Sequence, residues 1–200
     1  MLLFALFFGT VISLFVVTSM TIAINQTRTL PSRNVQVVPP LLPPATDSSL
    51  PRVPQTLTQI HTFMSDKQFE YFSAALVIAL GEGHRFHSRV GGSGDDGVDT
   101  KLTNLYGNMV IVQSKLYQAS NTVGPAYIRD FMGAIALKDA VYGYFVTTSK
   151  LTDQAARTAA ASRRPIRVID GSKIEAMLQY RSREIALAYK DVLDAIPKEE

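Results

Sequence analysis

The apolar positions of this chain fall into three successive patterns, and each predicts a different kind of segment. Met1 to Ile24 reads MLLFALFFGTVISLFVVTSMTIAI without a charged side chain. As a helix it would be about 36 Å long at 1.5 Å per residue, enough to cross a hydrocarbon core of about 30 Å with some tilt. From 25 to 54 the run gives way to Pro, Ser and Thr. Pro39-Pro40, Pro43-Pro44, Pro51 and Pro54 break any regular element there, which predicts an extended spacer.

Beyond the spacer the apolar positions become periodic. Ser65 and Gln68 make a capping box, and Phe69, Phe72, Leu76 and Ala79 recur at helical spacing until Gly81 and Gly83. His84 to Val90 reads as a short strand and Gly91 to Gly94 as a loop. Val98–Thr103 and Met109–Lys115 flank Asn104-Leu105-Tyr106-Gly107-Asn108, a polar, Gly-bearing connection suited to a hairpin. Pro125 stands at N1 of a helix whose stripe is Ile128, Phe131, Met132 and Ile135. Val141–Thr148, β-branched and aromatic, predicts a strand. Ala-rich Thr152–Ala161 predicts a helix, Ile166–Ile169 a short buried strand, and Asp170-Gly171 a turn into a helical stretch from Ser172 to about Ala195, with a break near Ser182. This order of α, three strands, α, β, α, β, α predicts an α/β fold, a mixed sheet flanked by helices on both faces. The expected division is a transmembrane helix over 1–24, a Pro-rich linker over 25–54, a globular domain over 55–181, and a C-terminal helix and tail over 182–200.

Composition narrows the chemistry. With no cysteine in the chain, disulfides, thiolate zinc sites and a Cys nucleophile are excluded, so any site must use oxygen or nitrogen. A formal net charge of +3 is compatible with an anionic partner without specifying one. Arg28 and Arg33 follow the apolar span and no basic residue precedes it, so the positive-inside rule places the C-terminal portion in the cytoplasm. A cleaved signal peptide is the alternative; against it stand the missing basic n-region, the length of the run and the lack of a clear cleavage site.

The most informative polar residues are Asp99, in Gly94-Asp95-Asp96-Gly97-Val98-Asp99, and Gln113-Ser114-Lys115, at the end of Val110-Ile111-Val112. Asp99 and Gln113 lie symmetrically about Tyr106, so a regular hairpin would set them face to face. Opposed residues have Cβ atoms about 4.5 to 5.5 Å apart, close enough for two side-chain oxygens to share a divalent cation. Alternation puts Gln113 and Lys115 on one face and points Ser114 away. Taken alone, such a trio also describes polar residues at a turn and a strand edge. Asp95 and Asp96 beside glycine read as turn formers. His84 and His87 fall on opposite strand faces and, with no Cys to complete a set, do not suggest zinc.

Phe69-Glu70, the Asp99 segment, Gln113-Ser114-Lys115, Val123-Gly124, Arg129-Asp130-Phe131, Phe145-Val146-Thr147-Thr148-Ser149 and Ile169-Asp170-Gly171 together resemble, in order, the Mrr-like restriction endonuclease domain. That domain is a branch of the PD-(D/E)xK nuclease superfamily, here in its QxK variant, and the resemblance covers roughly Ser65 to Tyr180. It implies a restriction-endonuclease-like sheet and a Mg²⁺- or Mn²⁺-dependent endonuclease that hydrolyses DNA in restriction or defence against foreign DNA.

In that setting Asp99 is the principal metal ligand and Gln113 offers its amide oxygen. Ser114 offers its backbone carbonyl, Lys115 orients or deprotonates the water, and Glu70 adds a second carboxylate. Gln in place of Glu lowers the ligand charge by one, which implies weaker metal binding and more reliance on Glu70. Arg129, Arg157, Arg163 and Arg164, with Lys138 and Lys150, are candidates for holding the DNA backbone. Thr147, Thr148 and Ser149 either touch a phosphate or cap the following helix. Many restriction-type nucleases act as dimers, so a homodimer is an expected assembly. Bacterial Mrr proteins typically carry a winged-helix-like recognition domain where this chain has its apolar span and spacer, so recognition of modified bases does not carry over. The reading is a membrane-anchored, cytoplasm-facing endonuclease; the alternative is a catalytically inactive, nuclease-derived DNA-binding or scaffold module at the membrane.

Overall fold

The computed structural model describes residues 49–90 and 97–196. The expected span over 1–24, most of the spacer, and Asp95 and Asp96 lie outside the described residues. Among the described residues no helix is long and apolar enough to cross a membrane.

A short helix that periodicity does not reveal, α1 (Leu57–Phe63), opens the fold; the Thr56 side chain caps it by accepting the Gln59 N–H, and Ile60 is its buried residue. Helix α2 (Asp66–Ile78) starts at the expected capping box, with both reciprocal bonds between Ser65 and Gln68 present. Strands β1 (Arg85–Arg89), β2 (Thr100–Thr103) and β3 (Met109–Lys115) follow as an antiparallel meander. Next come β4 (Thr122–Val123), α3 (Pro125–Leu137), β5 (Tyr142–Thr147), β6 (Lys150–Leu151), α4 (Asp153–Ala160), β7 (Ile166–Ile169), α5 (Gly171–Tyr180) and α6 (Ser182–Asp194).

The sheet order is β1-β2-β3-β5-β7, with β3, β5 and β7 parallel. The sheet is therefore mixed, as expected, and β4 and β6 add a separate two-stranded parallel ribbon. Val110, Val112, Tyr144 and Val146 pack on one face under α2, α5 and α6. Ile111 and Phe145 pack on the other under α3 and α4. Burial on both faces explains why the middle of β3 is continuously apolar rather than alternating. At Gly143 a Cβ would sit 2.6 Å from the Phe131 ring, so its absence lets α3 rest directly on β5.

The final helical stretch breaks at Arg181, whose φ of −135° leaves the helical region. Its guanidinium donates to the carbonyl of Ala79 at 3.0 Å, tying the break to the end of α2. Helix α6 then returns to the α2 core, where Tyr189 meets Phe72 edge to face at 5.5 Å.

At the opposite end of β5 from Thr147, His84 precedes β1 rather than lying within it. His84 is 4 % exposed; one nitrogen, Nε2, is 2.9 Å from the Tyr142 hydroxyl, and among the described residues the other has no hydrogen-bond partner. Arg167 lies over the Tyr142 ring, 4.8 Å from its centroid, and pairs with Glu82. Burial lowers the His84 pKa below the ordinary 6.5; Glu82 opposes the shift and Arg167 adds to it. The folded state therefore keeps this histidine neutral where the unfolded chain takes up a proton, so its contribution to stability is complete above pH 6.5 and lost as pH falls below it. Thermal unfolding from pH 7.5 to 5 is expected to show Tm dropping below about pH 6.5, with a shallower drop in His84→Gln. Equal slopes in the two proteins would refute this role for His84.

Candidate active site

If the register of β2 and β3, with Thr100 opposite Val112, continued by one residue, Asp99 would face Gln113. The backbone departs from that ladder. The Asp99 N–H donates to the Val112 carbonyl at 3.0 Å, and its own carbonyl accepts the Val90 N–H at 2.8 Å. Asp99 and Thr100 thus both address Val112, a local kink that turns the carboxylate toward the other face. There Asp99 Oδ2 accepts the Ser114 N–H at 2.5 Å and the Ser114 hydroxyl at 2.7 Å. The expected pairing of Asp99 with Gln113 is replaced by a pairing with Ser114, the residue expected to point away.

Gly97 leads into this kink at φ +74°, and a Cβ there would lie 3.1 Å from the Gln113 amide nitrogen. The Gln113 amide therefore packs against a position that only glycine fills without strain. Gln113 is 5 % exposed, and among the described residues its Oε1 has no hydrogen-bond partner. An orphaned buried acceptor costs about 1–3 kcal/mol, so the site calls for a donor or a cation at that oxygen.

A cleft of about 310 Å³ opens beside these residues, lined by Asp66, Phe69, Glu70, Asp99, Ser114, Lys115, Leu116 and Tyr117. Helix α2 presents Asp66 and Glu70 to it one turn apart. Glu70 Oε2 lies 2.5 Å from Arg89 Nε in an ion pair, which raises the arginine pKa; Asp99 adds a smaller contribution of the same sign. Among the described residues Lys115 has no ion-pair partner. Its carbonyl is gripped by the Thr147 hydroxyl at 2.9 Å and the Thr148 N–H at 3.3 Å. Tyr127, beside Tyr117, together with burial pushes the Tyr117 hydroxyl up to about 12, so the cleft wall carries a neutral phenol.

Other expected site residues are engaged elsewhere. The Thr148 hydroxyl accepts the Tyr117 N–H at 2.9 Å and donates to the Tyr117 carbonyl at 2.8 Å, and the Ser149 hydroxyl donates to the Asn121 carbonyl. These bonds lock the chain after Lys115 to the end of β5. Capping of α4 falls to Thr152, whose hydroxyl accepts the Ala155 N–H. Arg164 clamps the end of α3 through the carbonyls of Ala140 at 2.7 Å and Ile135 at 3.2 Å, and pairs with Asp139 at 2.7 Å. Its guanidinium is committed within the fold. Arg129, Arg157, Arg163 and Lys150 are exposed.

Sequence reasoning missed the Ser114 hydroxyl and Arg89, and it placed Thr147 near the cleft without its bond to the Lys115 carbonyl. Alternation from Val110 and Val112 does place Ser114 on the α2 face, and pairing of Arg89 with Thr100 sets that arginine beside Asp99; both signals were present in the pattern. The donors here, a carboxylate and an orphaned amide oxygen with no thiolate, fit a hard divalent cation such as Mg²⁺ or Mn²⁺. Among the described residues no three His, Asp or Glu side chains converge as a ready-made metal group. Ser114→Ala removes the hydroxyl from Asp99 while keeping the backbone donor. It is expected to lower stability in urea unfolding by about 1.5–3 kcal/mol, as for a hydrogen bond to a charged group; a negligible loss would show that the N–H alone holds the carboxylate.

Three comparisons bear on this site. A family model described as restriction endonuclease, Mrr_cat, matches residues 62–178. Over 115 residues the chain is 39 % identical to the type IV methyl-directed restriction enzyme EcoKMrr of Escherichia coli (strain K12), a match covering 56 % of this chain and 37 % of that relative. Among solved structures, the MspJI restriction endonuclease in complex with a 27-mer oligonucleotide aligns with a TM-score of 0.54 at 18 % identity, over 72 % of this chain and 37 % of that one. The DNA modification-dependent restriction endonuclease AspBHI aligns with a TM-score of 0.52 at 18 % identity, over 78 % and 44 %. These two structural likenesses establish the shared fold, and the chain spans less than half the length of each of the three proteins.

Proposed function

Because the chain belongs to the restriction endonuclease family whose model matches residues 62–178, we propose that it is a metal-dependent endonuclease hydrolysing phosphodiester bonds of DNA, acting in restriction of foreign DNA. The observation that carries the proposal is the buried, doubly hydrogen-bonded Asp99 at the end of β3, on a cleft that it shares with Glu70 and Lys115. Asp99, with Glu70 and Gln113 as the further expected ligands, would hold Mg²⁺ or Mn²⁺, and the ion would supply Lewis-acid neutralisation of the scissile phosphate.

The chain's own residues do the rest. Ser114 fixes the orientation of Asp99 with two donors and keeps it ionised. Lys115, its main chain held by Thr147, stabilises charge developing on the phosphoryl oxygens and orients the attacking water. Exposed Arg129, Arg157, Arg163 and Lys150 hold the duplex through its backbone, which makes binding salt-dependent without reading sequence. The charge-free stretch from Met1 to Ile24 and the arginines after it support a membrane anchor with the domain facing the cytoplasm. Cutting both strands calls for two such sites, which a homodimer supplies. Methyl-direction, named for the Escherichia coli relative, is not part of this proposal.

Full-length protein in detergent, incubated with supercoiled plasmid and Mg²⁺ or Mn²⁺, is expected to nick and linearise it. Asp99→Ala and Lys115→Ala are expected to cut at least about 100-fold more slowly, the usual loss when one electrostatic participant is removed. Plasmid left equally intact by wild type and variants, yet bound with salt-dependent affinity, would replace this reading with that of an inactive DNA-binding module.

A further inference from the structure

We propose that Arg89 is a built-in counter-ion of the active cleft: it holds the Glu70 carboxylate before a divalent cation arrives and yields it on binding, so that it is a positioning residue setting the cation affinity. This inference rests on the nuclease reading above. Arg89 is the last residue of β1, paired in register with Thr100, so its side chain leaves the strand beside Asp99 and reaches across to α2. There its Nε meets Glu70 Oε2 at 2.5 Å, with the two side chains only 26 % and 16 % exposed.

Charge explains why the pair forms. Glu70 and Asp99, both largely shielded from solvent, line one small cleft with exposed Asp66 and with Lys115, and shielded carboxylates raise one another's energy unless a cation stands among them. Arg89 supplies that cation. A divalent ion drawn to Asp99 has one formal ligand charge, and Glu70, on the same cleft, can add a second. An ion that takes Glu70 Oε2 brings a second cation against the guanidinium, so ion and Arg89 compete for that oxygen. A place for the displaced group exists: the guanidinium carbon already lies 5.9 Å from the centroid of the Tyr71 ring, a cation–π contact independent of Glu70.

Mn²⁺ titrated calorimetrically into the full-length protein without DNA tests this directly. Arg89→Gln is expected to bind Mn²⁺ about tenfold more tightly than wild type, a size typical of coupling between contacting charges, whereas Arg89→Lys stays near wild type. In the Glu70→Gln background the Arg89→Gln change is expected to alter affinity by less than about twofold. Equal tightening in both backgrounds, or none in either, overturns the inference. A wild-type measurement avoids any folding defect of the variants: Mg²⁺ is expected to shift the Arg89 Nε–H resonance as its bond to Glu70 breaks, and an unmoved resonance at saturating Mg²⁺ overturns the inference. Wild type that binds no Mn²⁺ through Asp99 overturns the nuclease reading and this inference together. Asp99-dependent binding and plasmid cutting with a flat Arg89–Glu70 cycle overturn the inference alone.

Discussion

Two hydrogen bonds from Ser114, one from its backbone and one from its hydroxyl, converge on a single oxygen of Asp99, and the site is arranged around them. A buried carboxylate keeps its charge only where donors or cations face it, and Ser114 can serve as that donor because it cannot move. It lies in β3, which is paired antiparallel with β2 on one side and parallel with β5 on the other, with Ser114 opposite Val146. The apolar run Val110-Ile111-Val112, buried on both faces of the sheet, fixes β3 in depth and register. The rigidity of the middle of the sheet is thereby passed to the carboxylate at its end.

The same economy of parts appears where the chain leaves β3. Thr147, Thr148 and Ser149 are buried hydroxyl residues at the end of β5, and each bonds the backbone leaving β3. Gly171 completes the joint. Its N–H donates to the Ser149 carbonyl at 2.9 Å, and a Cβ on it would meet the Thr148 carbonyl at 2.5 Å. Parallel strands end at the same edge of a sheet, so β3, β5 and the start of α5 come together there, and their polar ends satisfy one another instead of facing solvent. Lys115 is presented to the cleft by a main chain held from β5.

Much of this architecture is legible in the chain itself, and the parts that are not share a cause. The capping box at Ser65, Pro125 at the start of α3, the doubly buried β3 and the broken final helix all follow from local or periodic signals that tertiary packing reinforces. Helix α1 buries one residue, and β4 and β6 have two residues each, too few for any period to register. The turn of Asp99 toward Ser114 rests on the positive φ of Gly97 and one displaced backbone bond, whereas a sequence pattern implies only the regular ladder. Thr148 and Arg164 carry the types expected of phosphate ligands, and only the fold reveals that Tyr117 and the end of α3 already occupy them.

The electrostatic consequence of the QxK arrangement follows from these placements. An anionic middle ligand would face the ion with two negative charges at the end of β3 and demand strong compensation in its absence. With Gln113 there, the strand contributes an uncharged oxygen that is buried and, among the described residues, lacks a partner, a smaller penalty that the fold sustains without rearrangement. The second negative charge is displaced onto α2, at Glu70, where an arginine from β1 can reach it. On the proposed reading, moving that charge from a strand fixed on both sides to a side chain on a helix would convert part of a metal site from a permanent fixture into one that assembles when the ion enters. The site keeps its geometry at Asp99 and its adaptability at Glu70, and the two properties reside in different layers of the fold.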